Sequence, residues 1–255
     1  MTGLSSVRKV PLGAQRAFDA SLIYYPAGHT QGRHEHDRAS LAVVLGGSLV
    51  EEVDCRNHSG GPGQLSLKPS RVAHADCYGR DGAVLLSLVF RCEQTADEAI
   101  GRTGWQWRNA GAAVPSIAFA LRTPPADGLL DDLLWDCLAG AQPRAATGQP
   151  PAWLRWARSE LDRCDRSLDI GGLAADAGVH RVHFTRQFLR HYGIAPAAYR
   201  QRQMAARALR ALVADRLPPA AAAYDAGFAD QSHMSRSIRA TFGMTPRRIA
   251  ALLAG

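Results

Sequence analysis

The sequence predicts an α+β chain, with a small antiparallel β-barrel or sandwich followed by an all-helical domain. Three observations predict it. Residues 1 to about 110 carry short apolar runs punctuated by Gly and Pro. Beyond residue 151 almost every segment has helical periodicity. That second region also repeats a helix-pair pattern about 50 residues apart. Period-2 or continuous short runs suit strands, and 3.6-residue spacing suits helices.

The predicted strands are Leu22–Tyr25, Leu41–Leu45, Ser48–Val53, Gln64–Leu67 and Ala83–Phe90. Pro26, Gly28, Gly46-Gly47, Gly60-Gly61-Pro62-Gly63 and Gly79 break them. Strands this short and closely spaced favour a barrel or sandwich. From Gly128 to Gly140 the pattern turns helical, with Leu129, Leu133, Leu134 and Leu138 on one face. Residues 141–151 are rich in Pro, Gly and Ala without periodicity, and read as a linker. The helices expected beyond it are Trp153–Cys164, Ile170–Ala177, Arg181–Tyr192, Ala197–Ala214, Pro219–Ala226 and Gln231–Phe242. The predicted domains are therefore 1–140 and 152–255.

Composition sets the broad class. Of 255 residues, 46% are hydrophobic and 21% charged, which excludes a disordered or collagen-like chain. The apolar run Val84–Phe90 is far short of the ~20 residues of a membrane span. Met1 to Pro11 has no apolar stretch behind its charges and does not read as a signal peptide. Five cysteines, an odd number without a Cys-x-x-Cys, predict reduced thiols and a cytoplasmic setting. The net charge of +7 is uneven. Residues 1–150 hold 14 Lys plus Arg and 15 acids, whereas residues 151–255 hold 16 Arg and 8 acids. A basic module joined to a near-neutral one suits a polyanion partner.

The repeat supplies the structural logic. Leu173-Ala-Ala-Asp-Ala-Gly-Val-His-Arg-Val-His-Phe-Thr-Arg186 aligns with Ala222-Ala-Tyr-Asp-Ala-Gly-Phe-Ala-Asp-Gln-Ser-His-Met-Ser-Arg236. Each continues to a Gly-x-x-Pro, at Gly193–Pro196 and Gly243–Pro246. Small Ala residues let two helices approach, and Gly178 and Gly227 supply the left-handed residue of a tight turn. Phe184 and Phe188, and Met234 and Ile238, stand at i and i+4 and face the core, so the residues between them face outward. The amphipathic segment Tyr199–Leu212 joins the two units.

On these residues, positions 153 to about 250 resemble the DNA-binding domain of AraC-family transcriptional regulators. The most specific stretch is Gly227-Phe-Ala-Asp-Gln-Ser-His-Met-Ser-Arg236 with Phe242-Gly-Met-Thr-Pro246. Leu173, Gly178, Phe184, Arg186, Phe188, Gly193, Pro196, Tyr199 and Arg207 support it. The resemblance implies two helix-turn-helix subdomains joined by a linking helix. Departures are His180 at the usual Ser, which predicts a lost N-cap, and Ala222, Met234, Ile238 and Ile249-Ala250. They predict a looser second subdomain.

Recognition helices present their early outward residues to major-groove base edges. These are Arg181, Val182, Thr185 and Arg186 in the first repeat, and Gln231, Ser232, Ser235 and Arg236 in the second. Arg suits guanine O6/N7, Gln suits adenine, and Val or the Thr methyl suits a thymine methyl. Arg190, Arg200, Arg202, Arg239, Arg247 and Arg248 are phosphate candidates.

The first domain carries a second pattern. Gly28-x5-His34-Glu35-His36 and Gly63-x5-Pro69-x4-His74 resemble the two motifs of cupins, which place ligands inside a β-barrel. On a strand, His34 and His36 point to one side. With His74 they make three imidazoles, suited to a divalent transition metal. The fourth ligand of that family, a Glu, is missing near Ser40 and Leu41, and Asp76 shares the parity of His74. Without metal, Tyr24, His34, His36 and His74 line a candidate effector pocket.

Together the resemblances imply a cupin-like effector and dimerisation domain on an AraC-type DNA-binding domain. The function implied is a bacterial, nucleoid-associated activator that is not an enzyme. Its partners would be promoter DNA, a small-molecule effector, RNA polymerase and a second copy of the chain, with no membrane. Trp135 and Leu129–Leu138 would serve the dimer or pack on their own barrel. Two alternatives stay open: a metal-dependent cupin enzyme with a helical appendage, and a co-regulator whose helices no longer read DNA.

Overall fold

The computed structural model of the chain describes residues 6–14, 17–100, 105–110, 132, 135, 138, 142–143, 149–163 and 168–254. The expected α+β order is present. Strands β1 (Arg8–Ala14), β2 (Phe18–Tyr25), β3 (Thr30–His34), β4 (Ser40–Val53), β5 (Arg56–Gly60), β6 (Gln64–Lys68), β7 (His74–Phe90), β8 (Gln106–Asn109) and β9 (Gln142–Pro143) form one antiparallel sheet. Its order is β1-β2-β7-β4-β6-β8-β9, with β3 on β7 and β5 on β4.

The long strands β4 and β7 run side by side and bend together. Their register slips around Gly46 and Gly47. At Gly47 φ is +80° and a Cβ would lie 2.1 Å from the Gly82 carbonyl, so only glycine fits. The bend folds the sheet over itself in a barrel-like way. Leu49–Val53 of β4 carries β5, while Ser40–Val43 carries β6. Across the fold Trp105 Nε1 donates to Glu51 at 2.9 Å, and Lys68 pairs with Glu51.

Both faces of the central strands are buried. One face (Leu22, Tyr24, Leu41, Val43, Leu86, Leu88) joins a cluster that also holds Leu209, Phe228, Ile238 and Phe242 from the helices. The other (Ala42, Val44, Leu85) packs with Tyr25, Tyr78 and Trp107 inside the fold. Two covered faces explain why these strands read as continuous apolar runs rather than alternations. Part of the expected linker is strand, because Gln142–Pro143 pairs with Arg108–Asn109.

The helices are α1 (Glu93–Ile100), α2 (Ala152–Arg163), α3 (Ile170–Asp176), α4 (Arg181–Tyr192), α5 (Pro196–Val213), α6 (Pro219–Asp225), α7 (Gln231–Phe242) and α8 (Pro246–Ala254). The two recognition helices have the predicted bounds. Of the helix expected over 128–140, only residues 132, 135 and 138 are described. Leu138 is buried and the Trp135 ring lies 6.1 Å from Phe18 of its own sheet. Leu129, Leu133 and Leu134 lie outside the described residues.

The helical region has two cores. Leu154, Leu161, Leu173, Phe184, Phe188, Tyr192 and Tyr199 form the first, from α2, α3, α4 and the start of α5. The second subdomain shares the outer core of the sheet instead. Helix α5 lies across β4 and β7. Gly46 makes this approach possible: a Cβ there would sit 3.1 Å from the Phe242 ring and 3.2 Å from Ala206 Cβ. Ala222, Met234 and Ile238, expected to loosen this subdomain, are fully buried within it.

Candidate functional site

The first helix pair is built by local chemistry. Asp169 caps α3, its carboxylate accepting from the Gly172 amide at 2.9 Å. Gly178 turns the chain at φ +68° with open space around it, so its requirement is torsional rather than steric. His180 then caps α4: its Nδ1 accepts from the Val182 amide at 3.3 Å. The cap expected to be lost is thus supplied by imidazole. In the second pair Asp230 does the same for α7, accepting from His233 N at 2.7 Å. Gly193 and Gly243 end both helices in the left-handed conformation.

Phe184, Phe188 and Tyr192 anchor α4 in the core, and Met234, Ile238 and Phe242 anchor α7. Their opposite faces meet solvent. Arg181, Val182, Arg186 and Arg190 are exposed and Thr185 is half-buried. Gln231, Ser232, Arg236 and Arg239 are exposed and Ser235 is half-buried. Val182, 49% exposed, is a large apolar side chain left in water beside arginines, as a thymine-methyl contact requires. Arg247 and Arg248 are exposed in the first turn of α8, and Arg200 is half-buried.

Arg202 corrects the sequence reading. It is only 9% exposed, and its Nη1 is buried without a hydrogen-bond partner among the described residues. Burial lowers its pKa to about 10. The face of α5 that carries it is packed, so it is withdrawn from any phosphate.

In the folded sheet, His34, His36 and His74 come together, their ligating atoms all within 4.8 Å of one another. Strand β3 stops at His34, so His36 is not on it as expected. The His36 carbonyl instead accepts from the Arg71 amide at 2.7 Å. The rings still meet, with centroids 4.9 Å apart for His34–His36 and 4.3 Å for His34–His74. His34 and His74 each place Nδ1 against a backbone carbonyl, Gly32 at 2.8 Å and Val72 at 3.0 Å. Donation through Nδ1 leaves Nε2 with its lone pair. His74 Nε2 is buried without a hydrogen-bond partner among the described residues.

Loss of water around His74 lowers its pKa to about 4, so the ring is neutral near pH 7. His36 is lowered by the same cause, then by the neighbouring His34. Imidazoles gathered this closely, with the Nε2 lone pairs of His34 and His74 available, fit a transition metal ion. Asp76, the alternative fourth ligand, lies beside His74 at 3.8 Å but outside the three-His group.

A cavity of about 390 Å³ adjoins the cluster, lined in part by Tyr25, His36, Lys68 and Asp76. Tyr24 is a second correction. It lies on the opposite face of β2, in the core shared with the helices, where burial raises its pKa to about 12. Tyr25 takes its place inside, stacked on Tyr78 at 3.8 Å. Lys68, Glu51 and Trp105 are site residues that the motifs do not include.

Residues 173–251 match a family model described as a helix-turn-helix domain. This part of the chain is a helix-turn-helix domain. Solved structures give broader likenesses. An apo form of ToxT from Vibrio cholerae, carrying one substitution, is 10% identical, covers 94% of this chain and 99% of its own, and has a TM-score of 0.41. The C-terminal domain of AraT, a response regulator from Geobacillus stearothermophilus, is 19% identical over 41% of this chain and 88% of its own, at 0.39. A cupin superfamily protein from Desulfitobacterium hafniense is 20% identical over 33% and 77%, at 0.31. No curated protein matches the chain.

The helical domain is tied to the folded sheet by polar groups that the sequence did not single out. Asp81 lies 3.5 Å from Arg207 and 3.7 Å from Arg210 of α5. Gln203 accepts from the Gly47 amide and donates to Asp162. No helix among the described residues is long and apolar enough to cross a membrane.

Proposed function

We propose that the protein is a sequence-specific transcriptional activator whose folded sheet binds a small-molecule or metal effector. DNA binding rests on the AraC-type domain. The observation that carries the sequence-specific reading is the matched exposure of Arg186 and Arg236 on two capped, well-anchored helices. Both stand where a recognition helix meets base edges. Arg181, Val182, Thr185, Gln231, Ser232 and Ser235 complete the reading face. Arg190, Arg200, Arg239, Arg247 and Arg248 serve phosphates.

The effector site is the cavity beside His34, His36 and His74. The three imidazoles would hold a transition ion, which supplies a point of ligand attachment there. Occupancy of the cavity shifts the balance between DNA-competent and incompetent arrangements, through the contact of α5 with β4 and β7. A second copy of the chain and RNA polymerase are further partners in this reading. The test is retention of sheared genomic DNA by the full chain, with and without chelator. A sharp set of promoter fragments sharing a motif supports the reading. Diffuse, salt-sensitive retention alone overturns it and favours a co-regulator.

A further inference from the structure

We infer that the cavity beside the histidines takes an organic monocation, a primary ammonium on an apolar body, and that Asp76 anchors it. This rests on the reading of that cavity as the effector site and names the class of its ligand.

Strand register creates the anchor. Glu51 of β4 stands directly opposite Asp76 of β7. Both are buried, at 0% and 4% exposure. Like charges opposite one another across a strand pair repel, and burial sharpens the repulsion. Among the described residues of the sheet, Lys68 is the only buried cation. It is committed to Glu51, with which it forms an ion pair, and Glu51 Oε2 also accepts from Trp105 Nε1 at 2.9 Å. Asp76 is left over. Its Oδ1 is buried without a hydrogen-bond partner among the described residues. Its Oδ2 lies 3.8 Å from His74 Nε2, beyond hydrogen-bond reach. A buried carboxylate in this position calls for a donor that carries positive charge.

The cavity suits the rest of such a molecule. Asp76 lines it together with Ile23, Leu85 and Val89, which offer apolar surface. Tyr25 lines it too, backed by the Tyr78 ring at 3.8 Å, and an aromatic face attracts an ammonium. Lys68 already stands over an aromatic ring in this way, with Nζ 4.8 Å from the Trp105 centroid. Two further basic residues, Lys9 and Arg38, are in the lining, but both are exposed to water. Arg38 is paired with Asp19 at 3.0 Å, and the lining also holds the exposed Asp37. Solvent screens these charges, whereas Asp76 is screened least. An anion in the cavity would meet Asp76 with like charge.

The probe is 2-phenylethylammonium, compared with neutral 2-phenylethanol and anionic 3-phenylpropionate. Each is titrated calorimetrically into the full chain near pH 7, with chelator and without DNA. The ammonium should bind at least about tenfold more tightly than the alcohol, the scale of one charge-assisted hydrogen bond, and the carboxylate most weakly. Asp76→Asn keeps the side-chain shape and relieves the repulsion with Glu51, so it should fold. It should lose about tenfold in ammonium affinity and still take up zinc. Three probes bound alike, tighter binding of the carboxylate, no binding of the ammonium, or unchanged affinity in Asp76→Asn would each overturn the inference. Loss of zinc from Asp76→Asn would make Asp76 a metal ligand and overturn it too. Retention of promoter DNA separates this from the effector reading. Ammonium bound through Asp76 without any change in retention upholds the site and removes the effector role. Retention that responds to zinc while the ammonium does not bind overturns the site and leaves that role standing.

Discussion

Gln203 accepts a hydrogen bond from the Gly47 amide at 3.0 Å, at the bend of the sheet. The same side chain donates to Asp162 of α2 at 2.5 Å. One amide thus ties the sheet, the linking helix and the first helix-turn-helix unit together. Gln203→Leu leaves the buried Gly47 amide and the half-buried Asp162 each short of a partner. The expected loss is about 2–3 kcal/mol of unfolding free energy, read by urea titration. A double-mutant cycle with Asp162→Asn should show coupling.

Glycine at the bend is required, not convenient. Gly47→Ala places a Cβ 2.1 Å from the Gly82 carbonyl at φ +80°. It should destabilise the chain by at least about 1–3 kcal/mol, the scale of backbone strain, with the urea midpoint as the readout. Gly178 also has positive φ, but no atom lies within 4 Å of the point where its Cβ would stand. Gly178→Ala should therefore be the milder of the two.

Arginines on the basic domain should separate by role. Arg186→Ala and Arg236→Ala should each cost about 1–3 kcal/mol on the recovered operator and relax specificity at one position. Arg247→Ala should weaken all duplexes alike and reduce the salt slope by about 1. Arg202→Met should leave the salt slope unchanged. It removes a buried nitrogen that has no partner among the described residues, so the fold should be as stable or more stable. Anisotropy titrations at several salt concentrations distinguish these outcomes.

The three-histidine cluster should take up one divalent transition ion per chain, measured by elemental analysis after loading with zinc. His74→Ala should lose it, because its Nε2 is the buried atom left without a partner among the described residues. Retention of the ion in His74→Ala would place the metal elsewhere.

Periodicity made the helices legible. Arg181–Tyr192 and Gln231–Phe242 carry anchors at i and i+4, so core and outward faces follow from spacing alone. The histidines were legible as a group because their motifs bring them to one end of the sheet. Tyr24 and Tyr25 were not separable: with both faces of β2 covered, the run has no alternation to assign a side. Arg202 looked like its neighbours because only the docking of α5 decides which arginines are buried. That docking depends on Gly46, Gly47 and Asp81, residues far from α5 in sequence. The cap at His180 is not legible from residue type, because an imidazole caps this helix from the position where Ser usually does.

The most direct test of DNA reading is a ratio: the Kd for a random duplex over the Kd for a recovered promoter fragment, at one fixed salt concentration. For the wild-type chain the ratio should reach about 10³ or more. Arg186→Ala should lower it at least about fivefold. A wild-type ratio near one would mean that the basic helices hold DNA without reading it.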